Sequence, residues 1–229
     1  MPKLLPMKRI EACIFDLDGV LVDTARLHYL AWKRLANSLG FDFNPTDNER
    51  LKGVSRMASL EIVLTLGRLS LAEAEKTSLA ERKNSWYRES LSSLSEADML
   101  PGAGPFIEAC RALGLRTALA SASASAKEVL RATGSSSLFD AIADGTDLAA
   151  PKPAPDIFLL AARRLGVEPG ACAVFEDAAA GIAGAIAAGM RTVGIGSPVQ
   201  LGNADLVLPG FEGARAEDVL ARLEGSSAR

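Results

Sequence analysis

Two aspartates, Asp16 and Asp18, directly follow an apolar run at 12–15 that is typical of a buried parallel strand. Gly19 comes next, and its missing side chain lets the chain turn sharply. In open parallel sheets, ligands bind at the carboxyl ends of the strands. Two carboxylates at such an end repel each other, and a divalent cation with oxygen ligands would stabilise them most simply. A turn with two solvated acids is the alternative for an isolated Asp-x-Asp.

Other polar residues stand at or just after the ends of further predicted strands. These residues are Ser121, Lys152, Glu176 and Asp177. Because the carboxyl ends of parallel strands share one edge of the sheet, these groups can converge with the two aspartates. Carboxylates bind Mg²⁺, which neutralises phosphate charge, while a hydroxyl and an ammonium group bind the remaining phosphate oxygens. The set predicts phosphoryl transfer, although Ser121 or Lys152 alone is more often a surface residue.

The positions of the two aspartates predict different roles. A carboxylate that attacks phosphorus forms an acyl phosphate, and a second acid nearby can transfer a proton to or from the substrate hydroxyl. Asp16 suits the nucleophile because it is nearest the strand end. Asp18 suits the general acid/base because it lies further out, towards the segment that follows.

The rest of the chain predicts an α/β fold with one helical insertion. Helical patterns fill residues 24–95, and a Pro- and Gly-rich turn at 101–105 ends the insertion. Strands are then predicted near 116–120, 141–143, 172–175, 192–195 and 205–208, and helices near 105–113, 126–133, 155–165, 179–188 and 215–223. This alternation indicates a doubly wound parallel sheet. We expect a catalytic core domain of residues 1–23 and 96–229 and a small inserted helical cap domain of residues 24–95.

Three sequence patterns predict helix caps. They are the capping boxes that begin at Thr46, Ser70 and Ser125, each with a glutamate three residues later. The last of these predicts that Ser125 caps the helix that follows the loop after Ser121.

Composition sets the general class of the protein. The 229 residues are 48% hydrophobic and 23% charged, as in ordinary globular proteins, and the net charge of −3 offers no basic surface for nucleic acid. No segment approaches the ~20 apolar residues of a membrane span. Cys13, Cys110 and Cys172 fall in apolar strand or helix patterns and are predicted to be buried and unreactive. We expect a soluble, cytoplasmic monomer that binds neither nucleic acid nor membranes.

The stretch Asp-Leu-Asp-Gly-Val at 16–20, followed by Asp23 and Thr24, resembles the nucleophile motif of the haloacid dehalogenase superfamily, and the likeness covers essentially the whole chain. Within that superfamily, the sequence resembles the β-phosphoglucomutases at 16–20, 51–56, 82–84, 120–123 and 152–158. The resemblance implies a Rossmann-like core with a helical cap. It implies interconversion of β-D-glucose 1-phosphate and glucose 6-phosphate through an aspartyl phosphate. It also implies one Mg²⁺ ion and glucose 1,6-bisphosphate as intermediate and activator.

The resemblance also implies roles for individual residues. It assigns catalysis to Asp16, Asp18, Thr24 and His28. It assigns metal binding to Asp16, Asp18 through its main-chain carbonyl, Glu176 and Asp177. It assigns binding of the substrate and its phosphates to Trp32, Lys52, Gly53, Val54, Ser55, Arg56, Ser59, Lys83, Ser121, Ala122, Ser123, Ser125 and Lys152.

Two of these assignments have ordinary structural alternatives. His28 is the single histidine, and by spacing alone it is more often a packed helix residue, but it lies one turn beyond Thr24 and beside the acids. Arg56 would normally be a solvated charge at a helix start, yet a second phosphate needs a bidentate cation on the cap side. The superfamily relatives commonly place a polar or basic residue and then Asn after Ser123. Here Ala124 and Ser125 stand there, which weakens the expected contact with the distal phosphate.

Two other functions compete with phosphomutase activity. A sugar-phosphate phosphatase on the same scaffold would hydrolyse the aspartyl phosphate instead of returning it. A non-enzymatic phospho-acceptor signalling domain also uses a Mg²⁺-bound Asp and a Lys on a doubly wound sheet. The helical insertion and the second acid at Asp18 argue against signalling, which needs neither.

Overall fold

The computed structural model describes residues 9–51, 54–147 and 150–225. The predicted substrate residues Lys52 and Gly53 lie outside these ranges. The described residues contain a six-stranded, entirely parallel sheet in the order β3-β2-β1-β4-β5-β6. Its strands are β1 (Ala12–Phe15), β2 (Arg116–Ala120), β3 (Ala141–Ala143), β4 (Cys172–Glu176), β5 (Arg191–Ile195) and β6 (Leu206–Leu208). The predicted doubly wound α/β class is confirmed.

Helices cover the sheet and fill the insertion after β1. Four of them precede β2: α1 (Ala25–Ser38), α2 (Pro45–Glu49), α3 (Arg56–Leu66) and α4 (Glu73–Leu91). The others are α5 (Ala103–Ala112), α6 (Ala126–Ala132), α7 (Asp156–Leu165), α8 (Ala179–Ala187), α9 (Pro198–Leu201) and α10 (Ala216–Gly225). The sequence patterns predicted all of these except the single-turn α9.

Strand β1 lies in the middle of the sheet and is completely buried. Its side chains alternate between the two faces. Cys13 and Phe15 pack in the apolar cluster that includes α5 and α10, and Ala12 and Ile14 pack in the cluster under α7 and α8. The ring of Phe15 stacks on that of Phe175 in β4, with centroids 4.6 Å apart. This double-sided burial explains why the strand appears in the sequence as an unbroken apolar run.

The four helices of the insertion have an apolar cluster of their own, centred on Trp32, Leu35 and Leu60. The chain leaves the sheet and returns to it through two neighbouring segments. Val22 forms an antiparallel bridge with Met99, and the N–H of Leu100 donates to the carbonyl of Leu21 at 2.8 Å. The insertion therefore begins and ends at the carboxyl end of β1.

The predicted cap at Thr46 is wrong. Helix α2 begins at Pro45, and its cap is Asn44, whose side-chain oxygen accepts from the N–H of Asp47 at 3.0 Å. The carboxylate of Asp47 accepts in return from the N–H of Asn44. Proline at the first helical position has no N–H to satisfy, and Asn is at least as good a cap as Thr, so the helix begins earlier than the Thr–Glu pattern predicted.

The cap at Ser70 is also wrong, and the one at Ser125 is only partly correct. Helix α4 begins at Glu73, and the N–H of Ala72 donates to the carboxylate of Glu75. Ser125 does occupy the position before α6, but its side chain accepts no capping hydrogen bond. Its N–H donates to the hydroxyl of Ser123, which holds the preceding loop together.

The predicted burial of Cys13, Cys110 and Cys172 is confirmed, and all three are free thiols. Burial and the neighbouring residues raise the pKa of Cys172 to about 12, so this thiol is not ionised at neutral pH. Among the described helices, none is both long enough and apolar enough to cross a membrane.

Candidate active site

The site is built on a buried ion-pair cluster at the carboxyl edge of the sheet. Lys152 Nζ lies 2.7 Å from Asp16 Oδ1, after β1, and 2.6 Å from Glu176 Oε1, at the end of β4. All three side chains are buried. Burial alone would lower the pKa of Lys152, but the two carboxylates raise it above its ordinary value. The lysine is therefore a permanent cation that holds both acids in place.

The two aspartates differ in their partners. Asp16 contacts Lys152, whereas Oδ1 of Asp18 accepts a hydrogen bond from the hydroxyl of Thr24. Burial raises the pKa of both carboxyl groups to about 6, and for Asp18 the charge of Asp16 adds to the effect of burial. A group with a pKa near 6 can both donate and accept a proton near neutral pH, which is what a general acid/base requires.

Three carboxylates can hold a metal ion at this edge. Asp16, Glu176 and Asp177 each offer one oxygen, and these oxygens lie within 4.8 Å of one another. Gly19 has φ +79°, and a Cβ built there would lie 2.1 Å from Asp177 Oδ2. Only glycine therefore permits this approach of the turn to Asp177. The donor set consists of hard oxygens, which fits Mg²⁺. The side chain of Asp18 is not part of this group.

Glu176 is also fixed from its other side. Its second oxygen accepts from the N–H groups of Asp177 and Ala178 at 2.7 and 3.1 Å. A Cβ at Gly181 would lie 1.7 Å from Oε1 of Glu176, so the small residue in α8 leaves the space that this carboxylate occupies. Glu176 therefore has two supporting contacts that the sequence patterns did not indicate.

The loop after β2 is organised by its serines. The hydroxyl of the buried Ser121 accepts from the N–H of Ser123 at 3.1 Å, and the hydroxyl of Ser123 accepts from the N–H of Ser125 at 3.2 Å. Both are ST-type turns, which shape a backbone without secondary structure. The arrangement turns Ala122, Ser123 and Ala124 to the cleft.

A cleft of about 130 Å³ lies between this sheet edge and the helices of the insertion. Eleven predicted site residues line it: Asp16, Asp18, His28, Trp32, Val54, Arg56, Ser59, Lys83, Ala122, Ser123 and Asp177. Six others do not line it: Thr24, Ser55, Ser121, Ser125, Lys152 and Glu176. Of these six, Thr24 and Lys152 contact the aspartates directly, whereas the hydroxyl of Ser55 caps α3 by accepting from the N–H of Ala58.

The cap side of the cleft holds a buried lysine among aromatic rings. Lys83 Nζ lies 2.9 Å from His28 Nδ1, 4.6 Å from the centroid of Trp32 and 5.0 Å from that of Tyr87. Burial, with help from the charge of Arg56, lowers the pKa of Lys83 to about 7. Burial and the same cations hold the pKa of His28 well below its ordinary value, so this imidazole is neutral at neutral pH.

Arg56 begins α3 and is half-buried in the cleft wall. Within the described part of the chain, no carboxylate lies within salt-bridge distance of its guanidinium, although Glu81 attracts it from further away. Arg56 and Lys83 are thus two basic residues of the cleft wall that have no carboxylate at salt-bridge distance among the described residues, although the charge of Asp18 acts on Lys83.

Three polar residues that line the cleft were not among the predicted site residues: Asn48, Asn84 and Tyr87. Asn48 is the buried residue of the short helix α2, and the ring of Tyr87 stacks on that of His28 with centroids 4.0 Å apart. The spacing of four residues between Lys83 and Tyr87 places them on one helix face, a signal that could have indicated Tyr87. For Asn48, no pattern in the sequence indicated that a surface-type residue would be buried.

Comparison with known proteins agrees with this geometry. The profile of the haloacid dehalogenase-like hydrolases matches residues 10–189, which is most of the chain. The chain belongs to the haloacid dehalogenase-like hydrolase family.

Individual haloacid dehalogenase relatives are similar over nearly the whole length. A β-phosphoglucomutase of Bacillus subtilis (strain 168) is 45% identical over 201 residues, which cover 87% of this chain and 89% of the relative. A crystal structure of a β-phosphoglucomutase from Clostridium difficile superposes with a TM-score of 0.89 at 40% identity and covers 93% of this chain and 97% of that one. A fructose-1-phosphate phosphatase of Escherichia coli (strain K12) is 32% identical over 82% of this chain and 97% of its own.

Proposed function

We propose that this enzyme is a β-phosphoglucomutase that interconverts β-D-glucose 1-phosphate and glucose 6-phosphate. One observation carries the proposal. The proposed acceptor Asp16 lies on one wall of the cleft and two basic residues, Arg56 and Lys83, lie on the other, and neither of these has a carboxylate at salt-bridge distance among the described residues. A substrate with one phosphate needs only the first wall, whereas a bisphosphate needs both. The names of the Bacillus and Clostridium relatives support the same substrate class.

In the proposed reaction, Asp16 first carries a phosphoryl group, the 6-hydroxyl of β-glucose 1-phosphate attacks its phosphorus, and the bond from phosphorus to the Asp16 oxygen breaks, which gives glucose 1,6-bisphosphate. In the second transfer, a carboxylate oxygen of Asp16 attacks the phosphorus at C1, and the bond from that phosphorus to the C1 oxygen breaks, which gives glucose 6-phosphate and restores phospho-Asp16. Asp18 takes the proton of the attacking 6-hydroxyl in the first transfer and gives it to the leaving C1 oxygen in the second. Thr24 holds the Asp18 carboxyl through its hydroxyl. Glucose 1,6-bisphosphate is the intermediate that turns round between the two transfers.

Other residues of the chain bind and neutralise the phosphates. Lys152 and the loop of Ser121 to Ser123 lie beside the reacting phosphate, and Arg56 and Lys83 lie on the side of the distal one. Asp16, Asp177, the main-chain carbonyl of Asp18 and Glu176 would hold Mg²⁺. A bound Mg²⁺ would supply positive charge that offsets the negative charge of the transferring phosphate. Because one oxygen of Glu176 pairs with Lys152 and the other accepts two main-chain N–H groups, we assign Glu176 the smaller share of metal binding.

A coupled assay for glucose 6-phosphate tests the proposal. Purified protein is supplied with β-glucose 1-phosphate, a catalytic amount of glucose 1,6-bisphosphate and Mg²⁺, and product is followed by a dehydrogenase reaction. We expect turnover that needs both the bisphosphate and the metal. Chelation should abolish it, and Asp177→Ala should raise the Mg²⁺ concentration needed for half-maximal rate. Release of inorganic phosphate without glucose 6-phosphate would overturn the proposal.

A sugar-phosphate phosphatase is the second candidate. Ala124 lines the cleft mouth without a polar side chain, and a fructose-1-phosphate phosphatase is among the relatives. Phosphate release from the same assay, measured in parallel, separates the two functions. The family consists of enzymes, so a phospho-acceptor signalling domain is not proposed further. The two-domain division at residues 24–95, a monomeric state and a cytoplasmic location stay predictions.

A further inference from the structure

A second arginine stands at the mouth of the cleft. Arg88, near the end of α4, pairs with Glu128 of α6 through Nη2 to Oε1 at 2.6 Å and Nε to Oε2 at 3.2 Å. The side chains of Arg88 and Glu128 are 57% and 35% exposed. Water reaches both side chains and screens the pair, so a more highly charged anion can replace Glu128 as the partner of Arg88.

The position of Arg88 connects it to the cleft. Arg88 and Glu128 line a small outer recess, and Asn84, one helical turn before Arg88, lines both that recess and the main cleft. Ala124, in the loop that leads to the helix of Glu128, also lines the cleft, and its side chain has no group that could bind an anion. Arg88 therefore lies one helical turn from a residue of the cleft lining, in the recess next to it.

Arg56 and Arg88 act on each other electrostatically. Burial lowers the pKa of Arg56, and the positive charge of Arg88 lowers it further. The repulsion between the two positive charges is unfavourable, and an anion bound by both arginines would remove it. Arg56 has no carboxylate within salt-bridge distance among the described residues, and Arg88 has only the exposed Glu128. An anion between the two arginines could accept from both.

We propose that Arg88 is a second binding residue for the distal phosphate, which it reaches by leaving Glu128 and turning to the side of Arg56. Arg88 thus supplies, from a helix of the insertion, the positive charge that the side chain of Ala124 does not supply in the loop after β2. The inference rests on the proposed function, since it assumes a substrate with a phosphate at the cap side. The guanidinium already donates two hydrogen bonds to the carboxylate of Glu128, and a phosphate can accept the same two bonds while carrying more negative charge. Glu81, Glu89 and Glu128 line the recess itself, so the phosphate is expected at the inner mouth and not in the recess.

Direct binding tests the inference without turnover. Glucose 1,6-bisphosphate is titrated calorimetrically into the Asp16→Asn protein, which cannot be phosphorylated at this position. Adding Arg88→Ala should weaken binding about tenfold, the lower end of the range for a charged hydrogen bond. Adding Glu128→Gln should leave affinity unchanged or raise it, because it breaks the same ion pair but frees the arginine. If Arg88 served only to join α4 to α6, the two substitutions would weaken binding equally.

Arg82→Ala is the matched control. Arg82 lies on the same helix, but its guanidinium contacts the hydroxyl of Ser38 and the ring of Trp86, away from the mouth. We expect less than a twofold change from this loss of one surface charge. Ala124→Lys should restore affinity to the Arg88→Ala protein, because it places a cation in the loop that lines the cleft. An unchanged dissociation constant in Arg88→Ala overturns the inference.

The two proposals fail in different ways. Turnover of the unmodified protein with no effect of Arg88→Ala on bisphosphate binding overturns the role of Arg88 and leaves the mutase function standing. Binding that depends on Arg88, without any formation of glucose 6-phosphate, overturns the mutase function but supports the phosphate site. No measurable binding to the Asp16→Asn protein overturns the inference.

Discussion

The basic side chains on the two walls of the cleft have different partners. On the sheet side, Lys152 pairs with two carboxylates at hydrogen-bond distance, and each of these has further partners. On the helical side, Lys83 contacts only a neutral imidazole and aromatic rings, and Arg56 has no acid at salt-bridge distance in the described ranges. The lysine of the sheet side is paired without substrate, whereas the basic residues of the helical side have no paired acid in the described ranges.

This difference indicates that the sheet side determines the chemistry and that the helical side recognises the substrate. Paired buried charges hold their positions whether or not a ligand is present, so the sheet edge presents a preorganised attacking carboxylate. Cations without partners are costly until an anion arrives, so the helical wall gains most from binding a phosphate. Substitutions on the sheet side should therefore damage chemistry and fold, and those on the helical side should change affinity.

The largest expected effect is on chemistry at the sheet edge. Asp16→Asn should reduce glucose 6-phosphate formation by roughly 10⁴-fold or more, because an amide cannot attack phosphorus as a carboxylate does. Lys152 keeps its contact with Glu176, so the protein should remain folded. The coupled assay and a thermal melt check both parts, and more than a trace of activity would remove Asp16 from the nucleophile role.

The next effect is on stability. Lys152→Met leaves two buried carboxylates facing each other without a cation, and we expect the free energy of unfolding to fall by about 3–5 kcal/mol. Lys33→Met, which removes a lysine paired with the exposed Asp42 at 3.8 Å, should cost less than about 1 kcal/mol. Urea denaturation of both variants measures the difference. Equal losses would contradict the distinction between the paired core charge and a surface pair.

On the helical wall, Arg56→Ala should lower mutase turnover by roughly 10- to 150-fold, the range for a hydrogen bond to a charged group. Hydrolysis of acetyl phosphate should change far less, because that molecule has no second phosphate. The two activities are measured on one preparation. A parallel loss of both would mean that Arg56 supports the fold, and no loss of either would favour the phosphatase.

The smallest effect is a gain of stability. Lys83→Met removes a buried ammonium group and should raise the free energy of unfolding by about 1–2 kcal/mol at pH 6 while mutase activity falls. The pKa of Lys83 is about 7 in the folded protein against an ordinary 10.5. The cost of its charge is therefore fully present below pH 7 and disappears as the pH rises towards 10.5. Urea denaturation at pH 6 and pH 9 should show the larger gain at pH 6, and a gain that grows with pH would contradict this account.

The sequence predicted the sheet well because a buried parallel strand has apolar side chains on both faces and ends where polar residues begin. The predicted bounds of β2 and β3 match the structure, and those of β5 differ by one residue. The acids of the sheet edge could be assigned for the same reason, since each follows directly on a strand. Fixed strand ends bring together groups that are far apart in the chain.

The helical wall was harder to predict. A helix presents several faces, and which one meets the sheet edge depends on contacts between helices that are distant in sequence. The burial of Asn48 and the stacking of Tyr87 on His28 follow from such packing and leave no local pattern. The capping residues were missed because neighbouring Asn, Asp and Glu compete for the same few N–H groups, and local sequence alone did not decide between them.

The central place of β1 has a consequence for the order in which the protein forms. Ala12 pairs with Arg116 on one side and with Cys172 on the other, so the first strand to leave the ribosome is flanked by strands that are made much later. Contacts so distant in sequence form slowly, whereas α1 to α4 make mostly local ones. We therefore expect the inserted helices to fold during synthesis, while the strand that carries Asp16 stays incompletely paired until most of the chain has emerged.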